Sequence, residues 1–191
     1  MRYVAALALL ALAACRQEEA AIPGPVPMTA DAVGHFCQMN VLEHPGPKAQ
    51  IHLRDVQQPL FFSQARDAIA FQLMPEQQYE TVAVYVTDMG HADWDAPGND
   101  HWIAQDDAVY VVGSAREGGM GAPETVPFGS EDEARAFIEA YGGELRQLSQ
   151  IAPEEVLAPA GPLTDGAEDD GADDDYADRL RRLGRTPEVT E

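Results

Sequence analysis

Two periodicities alternate along the middle of the chain. Apolar residues at alternate positions mark Lys48 to Val56 and the stretch TVAVYVT as strands, the second with Val82, Val84 and Val86 on one face. Between them, LFFSQARDAIAFQLM is a turn leading into a helix that begins near Ser63. Ala65, Ala68, Ile69 and Leu73 form its apolar stripe, and Pro75 ends it. The second half runs in the same order, with DAVYVVGSA as strand, VPFGSEDEARAFIEAYGG as turn and helix, and ELRQL as strand. Ser130 with Glu133 predicts a capping box, Ala134, Phe137, Ile138 and Tyr141 share a helical face, and Gly142-Gly143 stops the helix. Phe61-x-Ser63 and Phe128-x-Ser130 occupy matching places ahead of the two helices. The pattern predicts an α+β fold of two related ββαβ modules packed as one compact unit, residues 33–90 and 91–158. An unrepeated α+β sandwich is the alternative. The second span opens with the linker DMGHADWDAPGNDHWIAQ, whose Trp94 and Trp102 are read as packing residues.

The ends follow other rules. After Met1-Arg2-Tyr3, the apolar run VAALALLALAA leading into Cys15 is too short to span a bilayer comfortably, and residues 1–14 read as a signal peptide. Leu12-Ala13-Ala14-Cys15 matches a bacterial lipobox, so Cys15 is expected to carry lipid and hold the mature chain to a bacterial membrane, facing the periplasm. Arg16 after it is compatible with outer-membrane sorting. Residues 15–32 are read as the lipidated N-terminus and a spacer. The formal net charge is −21, which excludes nucleic acid as a natural partner. Much of the acid lies in residues 159–191, poor in large apolar residues and read as a disordered tail with a brief amphipathic helix around Tyr176 to Leu183.

The chain has two cysteines. With Cys15 lipidated, Cys37 has no partner for a disulfide. It sits in GHFCQMN, and in an extended segment His35, Cys37 and Met39 would project to one side. A thiolate and a thioether on one face make a soft site that selects Cu(I) over hard cations. A small buried thiol is the competing reading, since free cysteine is among the most buried residue types. Met120, between glycines in REGGMGAPETVPF, either plugs the core or presents its thioether. Presented toward Cys37, it supplies a third soft donor and completes a trigonal Cu(I) site, with His35 as the local candidate for a further ligand. Met89, His91 and His101 lack the fixed spacing of a metal motif. Two non-metal readings also stand: a structural or interaction lipoprotein with Cys37 inert, and a thiol enzyme with Cys37 as nucleophile and His35 as base.

The lipobox at Cys15, CQM at residues 37–39, DAVYVVGS at residues 107–114 and GGMGAPETVPF at residues 118–128 together resemble the NosL family, lipoproteins that assist maturation of nitrous oxide reductase. The similarity runs over about residues 33–150. It implies a Cu(I)-binding metallochaperone, not an enzyme, with nitrous oxide reductase and its maturation proteins as partners. The family's C-x-M pair falls on Cys37 and Met39, and its loop methionine on Met120. That methionine usually follows proline, whereas Gly119 precedes it here.

Overall fold

The computed structural model describes residues 21–157. The signal peptide, Cys15 and the tail from residue 159 with its Tyr176–Leu183 segment lie outside the described residues. Among the described residues, no helix is long and apolar enough to cross a membrane.

Among the described residues, seven strands form two antiparallel sheets. In the first, β1 (Ala49–Leu53) lies between β2 (Leu60–Phe62) and β3 (Thr81–Thr87), and β4 (Trp102–Ala104) extends the sheet beyond β3. In the second, β5 (Val109–Val112) lies between β6 (Val126–Phe128) and β7 (Glu144–Gln147). Helix α1 (Ala65–Leu73) joins β2 to β3 and helix α2 (Glu131–Tyr141) joins β6 to β7, so each module is a ββαβ unit with the same strand order. The short strands β2 and β6 occupy positions the sequence pattern assigned to turns. Pro127 is tolerated inside β6 because that strand is an edge, where a missing donor costs no ladder bond.

The pairing register corrects the match between the repeats. Ala49 faces Phe62 across the first sheet and Val109 faces Phe128 across the second. Phe62, not Phe61, is therefore the counterpart of Phe128, and both rings are buried. A slip of one residue moves a side chain to the opposite face, and Phe61 accordingly packs against a separate cluster formed by Met28, Ala32 and Val41.

Helix α2 ends as its sequence requires, whereas α1 starts after Gln64 with no side-chain cap. The side chain of Ser130 accepts from the Glu133 backbone N–H, and its hydroxyl donates to the Glu133 carboxylate at 2.8 Å. At the other end Gly142 takes φ +71° and donates to Ile138 O, a conformation glycine adopts without steric cost. In α1, Ala65, Ala68 and Ile69 are buried as the stripe predicts, but Leu73 is 44 % exposed and Ala70 and Phe71 are buried in its place. Burial on two sides accounts for this: α1 packs on the first sheet and also against a short helix, α3 (Pro153–Leu157), which the sequence pattern did not show. Arg66 Nε donates to Val156 O across that contact.

One strand serves both modules. Tyr110 and Val112 of β5 enter the core built around Ile51, Phe62 and Val86, whereas Val111 points the other way, into a cluster with Val126, Phe128 and Ala134. The period-two alternation of a strand thus makes β5 a wall between two cores. Trp94 stacks on Phe137 in the second cluster and Trp102 packs on the Met28 cluster, in the packing roles expected of them.

Residues 23–28 do not behave as a spacer. Gln50 exchanges hydrogen bonds with the Val26 backbone in both directions, Tyr85 donates to Pro23 O, and Asn99 pairs with the Met28 backbone. These partners are distant in sequence, which is why a Pro/Gly-rich composition pointed to a linker. The segment satisfies polar side chains on the sheet face away from the main core.

Candidate metal centre

Cys37 lies in a closed loop, not in an extended strand. Val33 and Asn40 form an antiparallel bridge, Gly34 N–H donates to Met39 O at 2.8 Å, and Gln38 N–H donates to Gly34 O at 2.9 Å. Gln38 takes φ +56°, the left-handed conformation that reverses the chain. The His35 N–H donates to Phe61 O, fastening the loop to β2. The Cys37 thiol exchanges a 3.1 Å hydrogen bond with the Ser63 hydroxyl. A Cβ on Gly34 would lie 2.5 Å from the Cys37 sulfur and 2.9 Å from the Ser63 oxygen, so only glycine admits that pair.

The turn breaks the alternation on which a shared face for His35, Cys37 and Met39 depended. His35 and Phe36 border an apolar cavity of about 520 Å3 that also takes in Phe71 and Met74, and the His35 ring meets the Phe71 ring edge-on at 5.1 Å. Cys37 instead lines a neighbouring cavity of about 320 Å3. His35 thus borders the first cavity and Cys37 the second, with Phe36 lining both. Met39 follows Cys37 around the turn, 42 % exposed, and it does not border the second cavity.

Met120 does border it. The β5–β6 connection is pinched by a bridge between Glu117 and Pro123 and by hydrogen bonds from Gly118 N–H to Ala122 O and from Gly121 N–H to Gly118 O. Met120 stands at the tip of that turn, 37 % exposed. Gly119 passes so close to the His44–Pro45 backbone that a Cβ would fall 2.7 Å from His44 Cβ, and its carbonyl lies 3.1 Å from His44 Nδ1. Glycine at 119 thus seats the loop against its neighbour. Two segments far apart in sequence bring Cys37 and Met120 to one cavity.

Beneath the two loops is a buried polar floor that sequence reasoning missed. Lys48 Nζ donates to Pro45 O, Gly46 O and Ser63 O. Burial lowers its pKa to about 8, an effect opposed by the charges of Glu124 and Cys37. Glu124 receives the N–H groups of Arg66 and Thr125 on one carboxylate oxygen, which joins the Met120 connection to the first turn of α1. Burial raises its pKa to about 8 against those two donors. Gln64 Nε2, Glu124 Oε2 and His44 Nε2 are buried without a partner among the described residues. The signal for this floor lay in polar residues within apolar runs, whose partners only the fold reveals.

The other histidine candidates sit elsewhere. His91 donates to Asp88 at 2.9 Å and lies 3.6 Å from Glu133, and its pKa is raised by the Asp88 hydrogen bond first and by the charges of Glu133 and Asp88 next. His101 stacks on His91, and Met89 is buried in the second core. The arrangement ties the end of β3 to the start of α2.

Around Cys37, then, are a thiol held by a hydroxyl and a second-loop thioether at a half-open cavity, a donor set suited to a soft monovalent ion. The NosL family model matches residues 25–156. The chain is 53 % identical over 186 residues to the copper-binding lipoprotein NosL of Achromobacter cycloclastes, spanning 96 % of this chain and 95 % of that protein. It is 33 % identical over 118 residues to the copper-binding lipoprotein NosL of Stutzerimonas stutzeri, spanning 61 % of this chain and 60 % of that one. Its fold is similar to the crystal structure of the copper chaperone NosL from Shewanella denitrificans, with a TM-score of 0.62 at 34 % identity, covering 68 % of this chain and 98 % of that one. The extent of these matches, joined to the mixed two-sheet fold and the sulfur donors at its loops, places the chain in the NosL family.

Proposed function

We propose that this protein is a Cu(I) carrier, anchored through lipid on Cys15 to a bacterial membrane and facing the periplasm, that delivers copper for maturation of nitrous oxide reductase. The observation that carries the reading is the convergence of Cys37 and Met120 on one half-open cavity, from loops that belong to different modules. The names borne by the relatives from Achromobacter, Stutzerimonas and Shewanella support copper as the cargo. Cys37 supplies the anionic ligand, and Met39 and Met120 supply neutral donors that a partner's ligands replace one at a time. The exposure of both thioethers suits such an exchange. Binding displaces the thiol proton. A nucleophilic role for Cys37 is disfavoured, because the base offered by the sequence, His35, packs against Phe71 in the neighbouring cavity.

Anaerobic Cu(I) titration of the mature protein against a competing chelator tests this reading. One ion should bind tightly per chain, and Cys37→Ser should lower affinity by about a hundredfold or more, beyond either Met39→Leu or Met120→Leu alone. Equal affinity for wild type and Cys37→Ser would refute the site.

A further inference from the structure

The methionines among the described residues divide by burial. Met28 and Met89, 3 % and 9 % exposed, are spent on packing in two apolar clusters. Met39, Met74 and Met120 are not buried, and two of these three, Met74 and Met120, line the cavity that contains Cys37. No sequence motif marks Met74; helical geometry puts it there. Asp67, Ala70 and Met74 stand at i, i+3 and i+7 of α1, and all three border the cavity, so one face of the helix forms its wall. Pro75 ends the helix immediately afterwards, leaving Met74 as the cap residue, with φ −70° and ψ 129° and its N–H directed to Phe71 O. Met74 also borders the apolar cavity occupied by His35 and Phe36, and so stands at the partition between the two. Its unbranched side chain, with three rotatable bonds, can carry the sulfur across that partition.

We propose that Met74 is a further thioether donor to the ion held at Cys37, serving the cavity side while Met39 serves the exposed side. The inference rests on the Cu(I) reading above and deepens it. The ion would enter from solvent by Cys37 and Met39, settle between Cys37, Met120 and Met74, and leave when an incoming donor replaces the exposed thioether. Aspartate and glutamine at the same cavity are hard donors and compete poorly for a soft ion, so the sulfur of Met74 is the natural addition to the set. Its partial burial also means that leucine can replace it with nearly the same volume.

The test uses the full mature protein labelled with carbon-13 at the methionine ε-methyl groups and titrated with Ag(I), a diamagnetic stand-in for Cu(I). Met74→Leu assigns the Met74 signal. In the wild type, the Met74 and Met120 methyl resonances should move together and saturate at one ion per chain, while those of Met28 and Met89 stay in place. Met74→Leu should bind Cu(I) about tenfold more weakly. A Met74 resonance that stays still while Met120 moves would overturn the inference and leave the Cys37 site standing. Methyl groups that all stay still, with Cys37→Ser binding as tightly as wild type, would overturn both. Should Met74→Leu fail to fold, resonances assigned by backbone correlation in the wild type decide the question alone.

Discussion

The first module joins its two leading strands through residues 54–59, and the second joins the equivalent pair through residues 113–125. That longer connection carries Met120 and Glu124. The first module has its own addition, ahead of β1, where the loop bridged between Val33 and Asn40 presents Cys37. Strand order, register and helix placement are common to both modules, whereas Cys37, Met39 and Met120 lie in segments the counterpart module lacks; of the proposed copper donors, Met74 alone stands in the repeated framework, at the end of α1. The repeated part of the chain supplies the walls and Met74, and the other donors lie where the repeats differ. The two additions meet over Lys48, which binds carbonyls of the first module while Glu124 descends from the second.

If the floor shared by the two additions holds them together, Lys48→Met should have the largest effect on the folded state. Three carbonyl groups lose their donor, for a destabilisation of about 3 kcal/mol. Urea unfolding of the apoprotein measures it, and an unchanged midpoint would show that the loops hold each other without the ammonium. Gly34→Ala separates the Cys37 loop from the scaffold. The new methyl would sit 2.5 Å from the sulfur, so the loop must shift at a cost of about 2 kcal/mol, with Cu(I) affinity falling and the second module unperturbed. Unaltered copper affinity would mean that the thiol does not need its bond to Ser63.

Glu124 gives a pH test of the other addition. Its folded pKa is raised to about 8 from 4.5, so the folded chain keeps a proton that the unfolded chain releases. Stability from this group is greatest below pH 4.5 and declines as pH rises toward 8. Glu124→Gln should flatten that slope, a difference on the order of 2 kcal/mol between pH 5 and pH 8, readable from unfolding midpoints across the range. Lys48 acts in a higher window: its pKa falls from 10.5 to about 8, so its burial cost is full below pH 8 and fades between pH 8 and 10.5. A variant whose slope matches the wild type would show Glu124 to be ionised throughout. The smallest effect belongs to Ser130→Ala, which removes the cap of α2 for about 1 kcal/mol and should leave Cu(I) binding as it was. Copper affinity that fell with it would join scaffold and site more closely than the loops imply.

Features built from neighbours in sequence were legible before any coordinates. β3 follows TVAVYVT residue for residue, Ser130 and Gly142 bound α2 as their chemistry predicts, and the sulfur-bearing loops stood out as CQM and GGMG. Features built from distant partners were not. The chain reversal that follows Cys37 and closes its loop depends on Gln38 entering the left-handed region, which no propensity of glutamine foretells. Phe61 and Phe62 are both plausible inward residues until the pairing of β1 with β2 chooses between them. The Val26–Gln50 exchange spans a region where composition alone pointed to a linker. Met74 was hidden for a related reason: a helix face acquires meaning only when something is known to stand opposite.

The double-sided use of β5 has a consequence for protein engineering. A chain cut between β4 and β5 would leave the first fragment without Tyr110 and Val112 over Ile51 and Phe62, and the second with those two side chains facing water. Each fragment would then be driven toward the other by the apolar surface it exposes. Since Cys37 belongs to one fragment and Met120 to the other, their common cavity would exist only after the fragments recombine. Such a split chain would couple reassembly to acquisition of a soft metal, with the ion stabilising the rejoined form by mass action.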